Sequence, residues 1–410
     1  MDRRRFGQAA VAAAAGLGLS NGTAKEANGT AKEANGAAPR DASLRVFPDL
    51  PIITNDQIRV GGDYWIVATD KGFTSPESID FFKRFNVRHL SARGGAKATA
   101  AETSRTSRTG DFLQSDGAWD IDRLRRMRDD CHEAGVFLEG IRMDSAYIVL
   151  KPGDDRDRML DVLSENVRKA GEMGISLVGY HWTMIPIRRN KKVEGRGGST
   201  YNGFQLETDY RSLPPTEAAG QVSLADYWER IEYFLKRLVP VAREAKVRLA
   251  CHPYDPGGLP LGYQGVDNWD AGDFAQAMLK YEMLVDDVCN SFQYDTGVAA
   301  ESMQDSNAQL GLIRHLAERG KLAQIHFRNV RGRQNDFVET YIDEGDINMM
   351  DCLRVLRDTG WKGSLLPDHV PDVPDSANDP HKLQSYAHAF GYIQGLLSAA
   401  HNEAVFVNRA

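Results

Sequence analysis

Four residues that could bind a metal ion stand at the ends of consecutive β-rich runs in the second half of the sequence. They are His252, Asp295, His326 and Asp368, and they are separated by 43, 31 and 42 residues. Each separation is about the length of one strand-helix unit, so parallel strands would bring the four side chains to one edge of a sheet. Two imidazoles and two carboxylates without a thiolate favour Mn²⁺, with Co²⁺, Mg²⁺, Fe²⁺ and Zn²⁺ left open.

The alternation of side chains within these runs supports that placement. Apolar residues such as Leu249, Tyr294 and Ile325 share one side of their runs, and the opposite side ends in each case in a candidate ligand. In a closed barrel, one side of each strand faces the helices and the other faces the barrel axis. Because polar groups in an interior are costly unless they are used, we expect a site at the C-terminal ends of the strands.

The rest of the sequence repeats the same alternation of short β-rich runs and longer amphipathic segments. The predicted strands are 64–69, 87–93, 136–141, 176–182, 247–253, 291–296, 322–328 and 363–369. Amphipathic segments between them include 119–134, 155–173, 222–246 and 348–359. This order predicts an α/β fold, a (β/α)8 TIM barrel over residues 41–410. The rival, a doubly wound open sheet, would usually have a glycine-rich first turn, and the segment after residue 64 has no GxGxxG.

The first forty residues are predicted to lie outside the barrel. A basic start, Arg3-Arg4-Arg5-Phe6, precedes an apolar run from Ala9 to Leu19, which is typical of a twin-arginine export signal. A basic, alanine-rich disordered start is the alternative. The repeat NGTAKEA at 21–27 and 28–34 is short and polar, which predicts a solvated, disordered linker. We therefore expect an exported, periplasmic protein.

Composition excludes several classes of protein. Of the 410 residues, 42% are hydrophobic and 26% charged, which is ordinary for a globular protein, and the net charge of −7 does not favour nucleic acid or an anionic membrane. No apolar run after the N-terminus is long enough to span a membrane. The four cysteines have no CxxC spacing, and we expect four free thiols, since a protein folded before export would fold in the reducing cytoplasm. A homo-oligomer stays open.

Several motifs, in order, resemble those of the D-mannonate dehydratase family. They are CHPYDP (251–256), YDTGV (294–298), IHFRNV (325–330), FVETYIDEGDINM (337–349) and LLPDHV (365–370), with GYHWTMIP (179–186) upstream and QSYAHAFGYIQGL (384–396) downstream. The resemblance covers roughly the C-terminal three fifths of the chain. It implies a (β/α)8 enzyme that uses Mn²⁺ to dehydrate a sugar acid, D-mannonate or a close relative, to a 2-keto-3-deoxy acid.

The resemblance also implies roles for individual residues. It places the family's metal ligands on His252, His326 and Asp368, and its acid and base on His369 and Tyr386. Asp295 stands where the family usually has a cysteine ligand. A second departure is Tyr254, which stands where the family has an acidic residue. Both differences bear on the identity of the substrate more than on the presence of a metal.

A sugar acid needs cationic partners for its carboxylate. Arg328 and Asn329 follow His326 directly, and His181 ends the fourth predicted strand, so these three are the candidate substrate-binding residues. The segment 183–221 contains Arg188, Arg189, Lys191, Lys192 and Arg196 followed by a Gly-Gly pair, and it is predicted to be an unstructured lid over the site. The alternative for this segment is a solvated surface charge run.

Two other functions stay open at this point. A metal-dependent sugar isomerase or epimerase could use the same barrel and metal, and it would differ from a dehydratase in releasing no water. A periplasmic sugar-acid binding protein without turnover is the third hypothesis. Binding alone needs no acid and base, so the presence of His369 and Tyr386 argues against it.

Overall fold

The structure is a computed structural model, and it describes residues 57–68, 73–93, 112–143, 146–375 and 377–407. These residues belong to one compact unit, Asp41–Ala410. The predicted export signal and linker lie outside the described residues. Among the described residues, no helix is both long enough and apolar enough to cross a membrane.

Twelve strands are present in the described residues. They are β1 Ile58–Gly62, β2 His89–Arg93, β3 Phe137–Arg142, β4 Leu177–His181, β5 Lys191–Glu194, β6 Thr200–Gln205, β7 Arg248–His252, β8 Asn290–Asp295, β9 Leu322–His326, β10 Val330–Arg333, β11 Asp336–Glu339 and β12 Gly363–Leu366. Eight of them form a closed parallel barrel in the order β1-β2-β3-β4-β7-β8-β9-β12. The predicted (β/α)8 barrel is thereby confirmed.

Nine α-helices accompany these strands in the described part of the chain. They are α1 Pro76–Arg84, α2 Ile121–Glu133, α3 Asp154–Glu172, α4 Leu224–Ala245, α5 Phe274–Leu284, α6 Thr296–Ser302, α7 Gln309–Glu318, α8 Met349–Asp358 and α9 Leu383–Val407. Polar N-caps begin most of them. Asp120, Ser223 and Asn348, for example, each accept a hydrogen bond from a backbone N–H of the first turn of α2, α4 and α8.

The first strand lies earlier in the chain than the sequence predicts. Residues 64–68, the described part of the predicted strand 64–69, are not a strand; β1 is the preceding segment Ile58–Gly62, which contains two glycines and has a weak β pattern. A Cβ on Gly62 would lie 2.4 Å from the ring of Phe82 in α1, so helix and strand can pack this closely only at a glycine. The described part of the apolar run instead follows β1 at the C-terminal end of the barrel.

The predicted unstructured lid is also corrected by the structure. The segment after β4 contains β5 and β6, which join β10 and β11 in an antiparallel sheet of order β10-β11-β6-β5. The hairpin of β10 and β11 follows β9, so two separate connections of the barrel combine to build this sheet. Backbone groups of β6 pair with those of β11 across the two segments, which an isolated loop could not achieve.

Polar side chains cross the barrel interior below the C-terminal ends of the strands. Gln293 of β8 donates to Gln324 of β9 (2.7 Å), and Gln324 donates to Ser91 of β2 (2.9 Å). Gln293 also accepts a hydrogen bond from Arg142 of β3 (3.0 Å). The side chains of Ser91, Gln293 and Gln324 thus point toward the barrel axis. The residues two positions later in the same strands, Arg93, Asp295 and His326, point the same way.

The four cysteines are free and buried, as predicted. Cys131, Cys251, Cys289 and Cys352 form no disulfide in the structure. Burial raises the pKa of each thiol, to about 11 for Cys289 and about 12 for the other three. The thiols are therefore protonated and act as small apolar core residues.

Candidate metal centre and active site

The structure brings the four predicted metal ligands together at the C-terminal end of the barrel. One donor atom from each of His252, Asp295, His326 and Asp368 lies within 4.8 Å of the others, and all four residues are buried. Strand register explains the meeting, because Asp295 pairs with His326 across β8 and β9, and Asp368 follows β12 on the same side as Leu366. A buried group of two imidazoles and two carboxylates is one that could hold a metal ion.

Each of the two imidazoles presents one ring nitrogen to the same point. Nδ1 of His252 lies 2.6 Å from the carbonyl oxygen of Pro253, and Nε2 of His326 lies 2.9 Å from a carboxylate oxygen of Asp63. When these nitrogens donate their protons to those oxygens, Nε2 of His252 and Nδ1 of His326 face each other at 3.1 Å with lone pairs. Two lone pairs at this distance repel unless a cation or proton lies between them.

Asp295 uses its two carboxylate oxygens for different purposes. Oδ1 accepts a hydrogen bond from the Val298 N–H (2.8 Å) and caps α6, while Oδ2 lies 3.4 Å from Nε2 of His252. Burial acts to raise the pKa of Asp295, but Arg328 and the imidazoles of His252 and His326 outweigh it and hold the pKa well below its usual range. Asp295 is therefore both a helix cap and an anionic donor at the site.

Asp368 and His369 leave β12 as neighbours with separate partners. Oδ2 of Asp368 lies 3.5 Å from Nδ1 of His326, and its Oδ1 is buried without a hydrogen-bond partner. His369 makes a short contact through Nδ1 with the carboxylate of Glu339 at the end of β11. Burial lowers the pKa of His369, but Asp368 and Glu339 more than compensate and raise it to about 9. The small sheet thus reaches the site through Glu339 and fixes this imidazole.

Sequence reasoning missed the residues that enter the site after β1. Asp63 is buried and pairs with His326, so it fixes the orientation of that imidazole, as carboxylates behind metal-binding histidines commonly do. The Trp65 ring lies 6.0 Å from that of His326 and 6.1 Å from that of His369, which makes it a wall of the site. Placing the first strand at 64–69 concealed both residues, because it put Asp63 before the start of the strand and Trp65 within the barrel wall instead of at the C-terminal end.

Arg328, predicted to bind the substrate, is surrounded by carboxylates of the protein, and its substrate-binding role stays a prediction. Its side chain is 2% exposed, with Nε 3.1 Å from Asp295 and 3.2 Å from Asp368, and Nη1 2.8 Å from Glu301. A Cβ on Gly297 would lie 2.4 Å from Nη1, so the guanidinium packs directly on the first turn of α6. Carboxylates of the protein therefore engage Nε and Nη1 of this guanidinium, while its Nη2 is buried without a hydrogen-bond partner, 3.6 Å from Asp255.

A second arginine joins the same group of charges. Arg189, from the segment between β4 and β5, lies 2.8 Å from Asp255 and donates from Nε to Glu339 (2.8 Å). Burial and the neighbouring Asp255 raise the pKa of Glu301 to about 8, although Arg328 and Arg189 oppose this. Carboxylates therefore outnumber the guanidinium groups on this side of the site.

Two further predicted residues take structural positions. Asn329 is 2% exposed and donates to the carbonyls of Ile342 and Ile347, which holds the loop after β11. Tyr386 lies in the first turn of α9 and belongs to the hydrophobic core, so its predicted catalytic role stays a prediction. Tyr254, the residue that departs from the family motif, is likewise fully buried in the core.

The third predicted substrate-binding residue lies on the opposite side of the site. His181 ends β4 in register with His252 and is half-buried. Burial, followed by Arg142, His252 and Arg93, lowers the pKa of His181 well below its ordinary value, so this imidazole is neutral. Arg93 and Arg142 end β2 and β3, are also half-buried, and have no carboxylate partner among the described residues. Sequence analysis did not single out either arginine.

Comparison with known proteins assigns this arrangement to a family. Residues 112–406 match the sequence model described as D-mannonate dehydratase (UxuA). A mannonate dehydratase of Streptococcus pneumoniae (strain 70585) is 26% identical over 316 residues, which cover 69% of this chain and 83% of that protein. A mannonate dehydratase of Enterococcus faecalis (strain ATCC 700802 / V583) is also 26% identical, over 68% of this chain and 86% of its own.

Solved structures agree on the fold. The crystal structure of mannonate dehydratase from Streptococcus suis serotype 2 superposes with a TM-score of 0.68 at 23% identity, covering 85% of this chain and 95% of that one. A structure of L-ribulose 3-epimerase reaches a TM-score of 0.50 at 15% identity, covering 86% of this chain and 98% of that one. At such identities both comparisons concern the barrel fold alone.

Proposed function

This chain belongs to the D-mannonate dehydratase family, and on that basis we propose that it is a metal-dependent hydro-lyase that converts D-mannonate or a close relative to a 2-keto-3-deoxy acid. The observation that carries the proposal is the convergence of two imidazoles and two carboxylates at the C-terminal end of the barrel. Active sites of (β/α)8 enzymes lie at this end. An epimerase on the same barrel is not favoured, since the epimerase resemblance is limited to the fold.

The residues present fit a divalent cation. The facing ring nitrogens of His252 and His326, 3.1 Å apart, and the buried Oδ1 of Asp368 without a hydrogen-bond partner, are groups that a cation would satisfy. With Asp295 in place of a thiolate, the donors are nitrogen and hard oxygen, and we propose Mn²⁺ as the ion. A cation held there would supply Lewis-acid stabilisation of the negative charge that develops when the C2 proton of the sugar acid leaves.

His369 is the first candidate for proton transfer. Its imidazole is fixed from one side by Glu339 and lies beside Asp368, with Nε2 3.8 Å from the Asp368 carboxylate. About a quarter of its side chain is exposed, so it can meet a substrate in the cavity. Dehydration requires one group to take the C2 proton and another to protonate the departing 3-hydroxyl. We assign one of these steps to His369 and keep Tyr386 as the second candidate.

Turnover of a panel of acids tests the proposal. The purified protein, stripped of metal and then supplied with Mn²⁺, should release a semicarbazide-reactive 2-keto-3-deoxy acid from D-mannonate. Other aldonic and uronic acids in the panel define the substrate, and the metal-stripped protein is the control. No keto-acid from any member of the panel in the presence of Mn²⁺ would contradict the proposed reaction.

We further propose that the protein is exported through its twin-arginine-like start, Arg3-Arg4-Arg5-Phe6. The proposal rests on the sequence pattern alone. Replacing Arg3 and Arg4 together by Lys should retain the protein in the cytoplasmic fraction of an expressing bacterium with a twin-arginine system. Equal periplasmic amounts of the wild-type and substituted proteins would contradict export by this route.

A further inference from the structure

We infer that Arg93 and Arg142 bind the carboxylate of the substrate, a role that the sequence predicted for Arg328. The inference rests on the proposed function and names the residues that would recognise its acidic substrate. The two arginines are adjacent, because Arg93 of β2 and Arg142 of β3 are partners in the parallel register. Both end their strands at the C-terminal edge of the barrel, the edge at which the candidate metal ligands meet.

Both side chains point into the barrel. Arg142 reaches across the interior, since Nη1 donates to Gln293 of β8, two residues before Asp295. Arg93 lies two residues after Ser91, whose hydroxyl accepts from Gln324 inside the barrel, so Arg93 shares that direction. The Arg93 guanidinium carbon also lies 5.8 Å from the centre of the Tyr64 ring, next to Asp63.

Gly179 keeps the interior side of β4 free of a side chain next to Arg142. It is the register partner of Arg142, and the three atoms nearest to a Cβ built there belong to Arg142 and Gln293, at 3.9–4.0 Å. A methyl group would fit at ordinary contact distance, whereas a larger side chain would crowd Arg142 and Gln293. The glycine therefore leaves Arg142 uncovered on the side of β4.

Neither arginine is paired with a carboxylate among the described residues. Arg142 has the neutral Gln293 as its hydrogen-bond partner, and Arg93 contacts a ring face. Arg328 and Arg189, by contrast, each lie within 4.0 Å of at least three carboxylates. Half-buried guanidinium groups side by side repel each other, and a planar carboxylate bound by both relieves that repulsion.

Direct binding tests this inference independently of turnover. D-gluconate, an aldonate, and D-glucitol, its neutral polyol counterpart, are titrated calorimetrically into the Mn²⁺-loaded protein. The wild type should bind D-gluconate at least about tenfold more tightly than D-glucitol, because only the acid gains charge-assisted hydrogen bonds. Arg93→Gln and Arg142→Gln should each weaken D-gluconate binding by about 10- to 100-fold and leave D-glucitol binding unchanged.

Three controls accompany this titration. Arg125→Gln removes an exposed arginine of α2 that pairs with Asp122, and it should leave both affinities unchanged. Arg142→Lys keeps the charge without the planar fork, so it should retain part of the preference for the acid. Thermal unfolding midpoints and metal content show whether each variant is folded and loaded.

The possible failures are distinguishable. The inference is overturned if folded Arg93→Gln and Arg142→Gln bind D-gluconate with wild-type affinity. It is also overturned if the wild type binds D-gluconate no more tightly than D-glucitol. Loss of the preference in both variants supports it even if D-mannonate is not turned over, in which case the proposed reaction is what fails. Turnover of D-mannonate with unchanged affinity in the variants leaves the reaction standing and removes the arginines from the site.

Discussion

The two sides of the barrel mouth carry charge in opposite ways. On the side of β8, β9 and β12, Arg328 is buried among the carboxylates of Asp295, Glu301 and Asp368. On the side of β2 and β3, Arg93 and Arg142 end their strands half-buried, and the described residues supply no carboxylate for either. On the first side, carboxylates outnumber guanidinium groups and can bind a metal ion. On the second side, two guanidinium groups without carboxylate partners can bind an anion.

This difference explains how one barrel could bind a metal ion and a sugar acid side by side. A guanidinium surrounded by carboxylates fixes their positions and reduces their mutual repulsion, but most of its N–H groups are then not available to a ligand. A guanidinium without a carboxylate partner gains most from binding an anion. Arg328 and Arg142 occupy comparable positions at strand ends and are suited to opposite tasks, which variants of each can separate.

The largest effect is expected from the metal ligands. The double variant His252→Ala, His326→Ala lacks both imidazoles among the four proposed metal ligands. Its metal content and its turnover should fall to background. Metal analysis after gel filtration in Mn²⁺ measures the metal content, and the keto-acid assay measures turnover. His132→Ala, at an exposed position of α2, is the control. Stoichiometric metal in the double variant would show that the ion binds elsewhere.

The next largest effect concerns the free energy of unfolding, which should differ between variants of Arg328 and Arg142. Arg328→Met leaves buried carboxylates without their cation and should lower the free energy of unfolding by about 3–5 kcal/mol. Arg142→Met removes a half-buried side chain with one neutral hydrogen bond and should cost about 1 kcal/mol. Urea unfolding of the metal-free proteins gives both values. Equal losses would mean that the two sides of the mouth do not differ as described.

The carboxylate behind His326 should have a smaller, specific effect. Asp63→Asn keeps the shape of the side chain but removes the charge that orients the imidazole, and metal affinity should fall about 10- to 100-fold. Competition with a fluorescent chelator measures the affinity. Asp116→Asn, in a turn before α2, should leave it unchanged. Wild-type metal affinity in Asp63→Asn would show that Asp63 contributes to the local structure and not to metal binding.

The finest distinction concerns Asp295, which combines a helix cap with a donor oxygen. Asn caps helices about as well as Asp, so Asp295→Asn should keep stability while metal affinity falls. Asp295→Cys should keep a site but shift its preference from Mn²⁺ toward Zn²⁺, because a thiolate is softer. Metal analysis of both variants is the measurement. Unaltered Mn²⁺ content and selectivity in both would leave Asp295 as a cap only.

The barrel and its four candidate ligands could be predicted from the sequence because both depend on periodic features. Strand-helix alternation fixes the fold, and residues at equivalent strand ends meet at the same edge. The first strand was misplaced because Gly61 and Gly62 weaken its β pattern, while the apolar run after it has the composition of a strand. That run is apolar because residues such as Ile66 and Val67 are buried in the core beside the barrel.

The roles of the arginines could not be predicted in the same way. Arg328 and Arg142 both stand at or just past the end of a strand, and the sequence around them does not say which carboxylates surround them. The acids that engage Arg328 come from α6, from the ends of β8 and β11 and from the segments after β7 and β12, so only the assembled structure brings them together. The small sheet was missed for a similar reason, because its strands pair across more than a hundred residues.

The mass of the product tests the central claim most directly. The Mn²⁺-loaded wild-type protein is incubated with D-mannonate, and the products are analysed by mass spectrometry beside a metal-stripped control. We expect a metal-dependent product lighter than the substrate by one water and reactive with semicarbazide. A product of unchanged mass would show isomerisation or epimerisation instead, and recovery of D-mannonate alone would contradict the assignment of this site as a dehydratase.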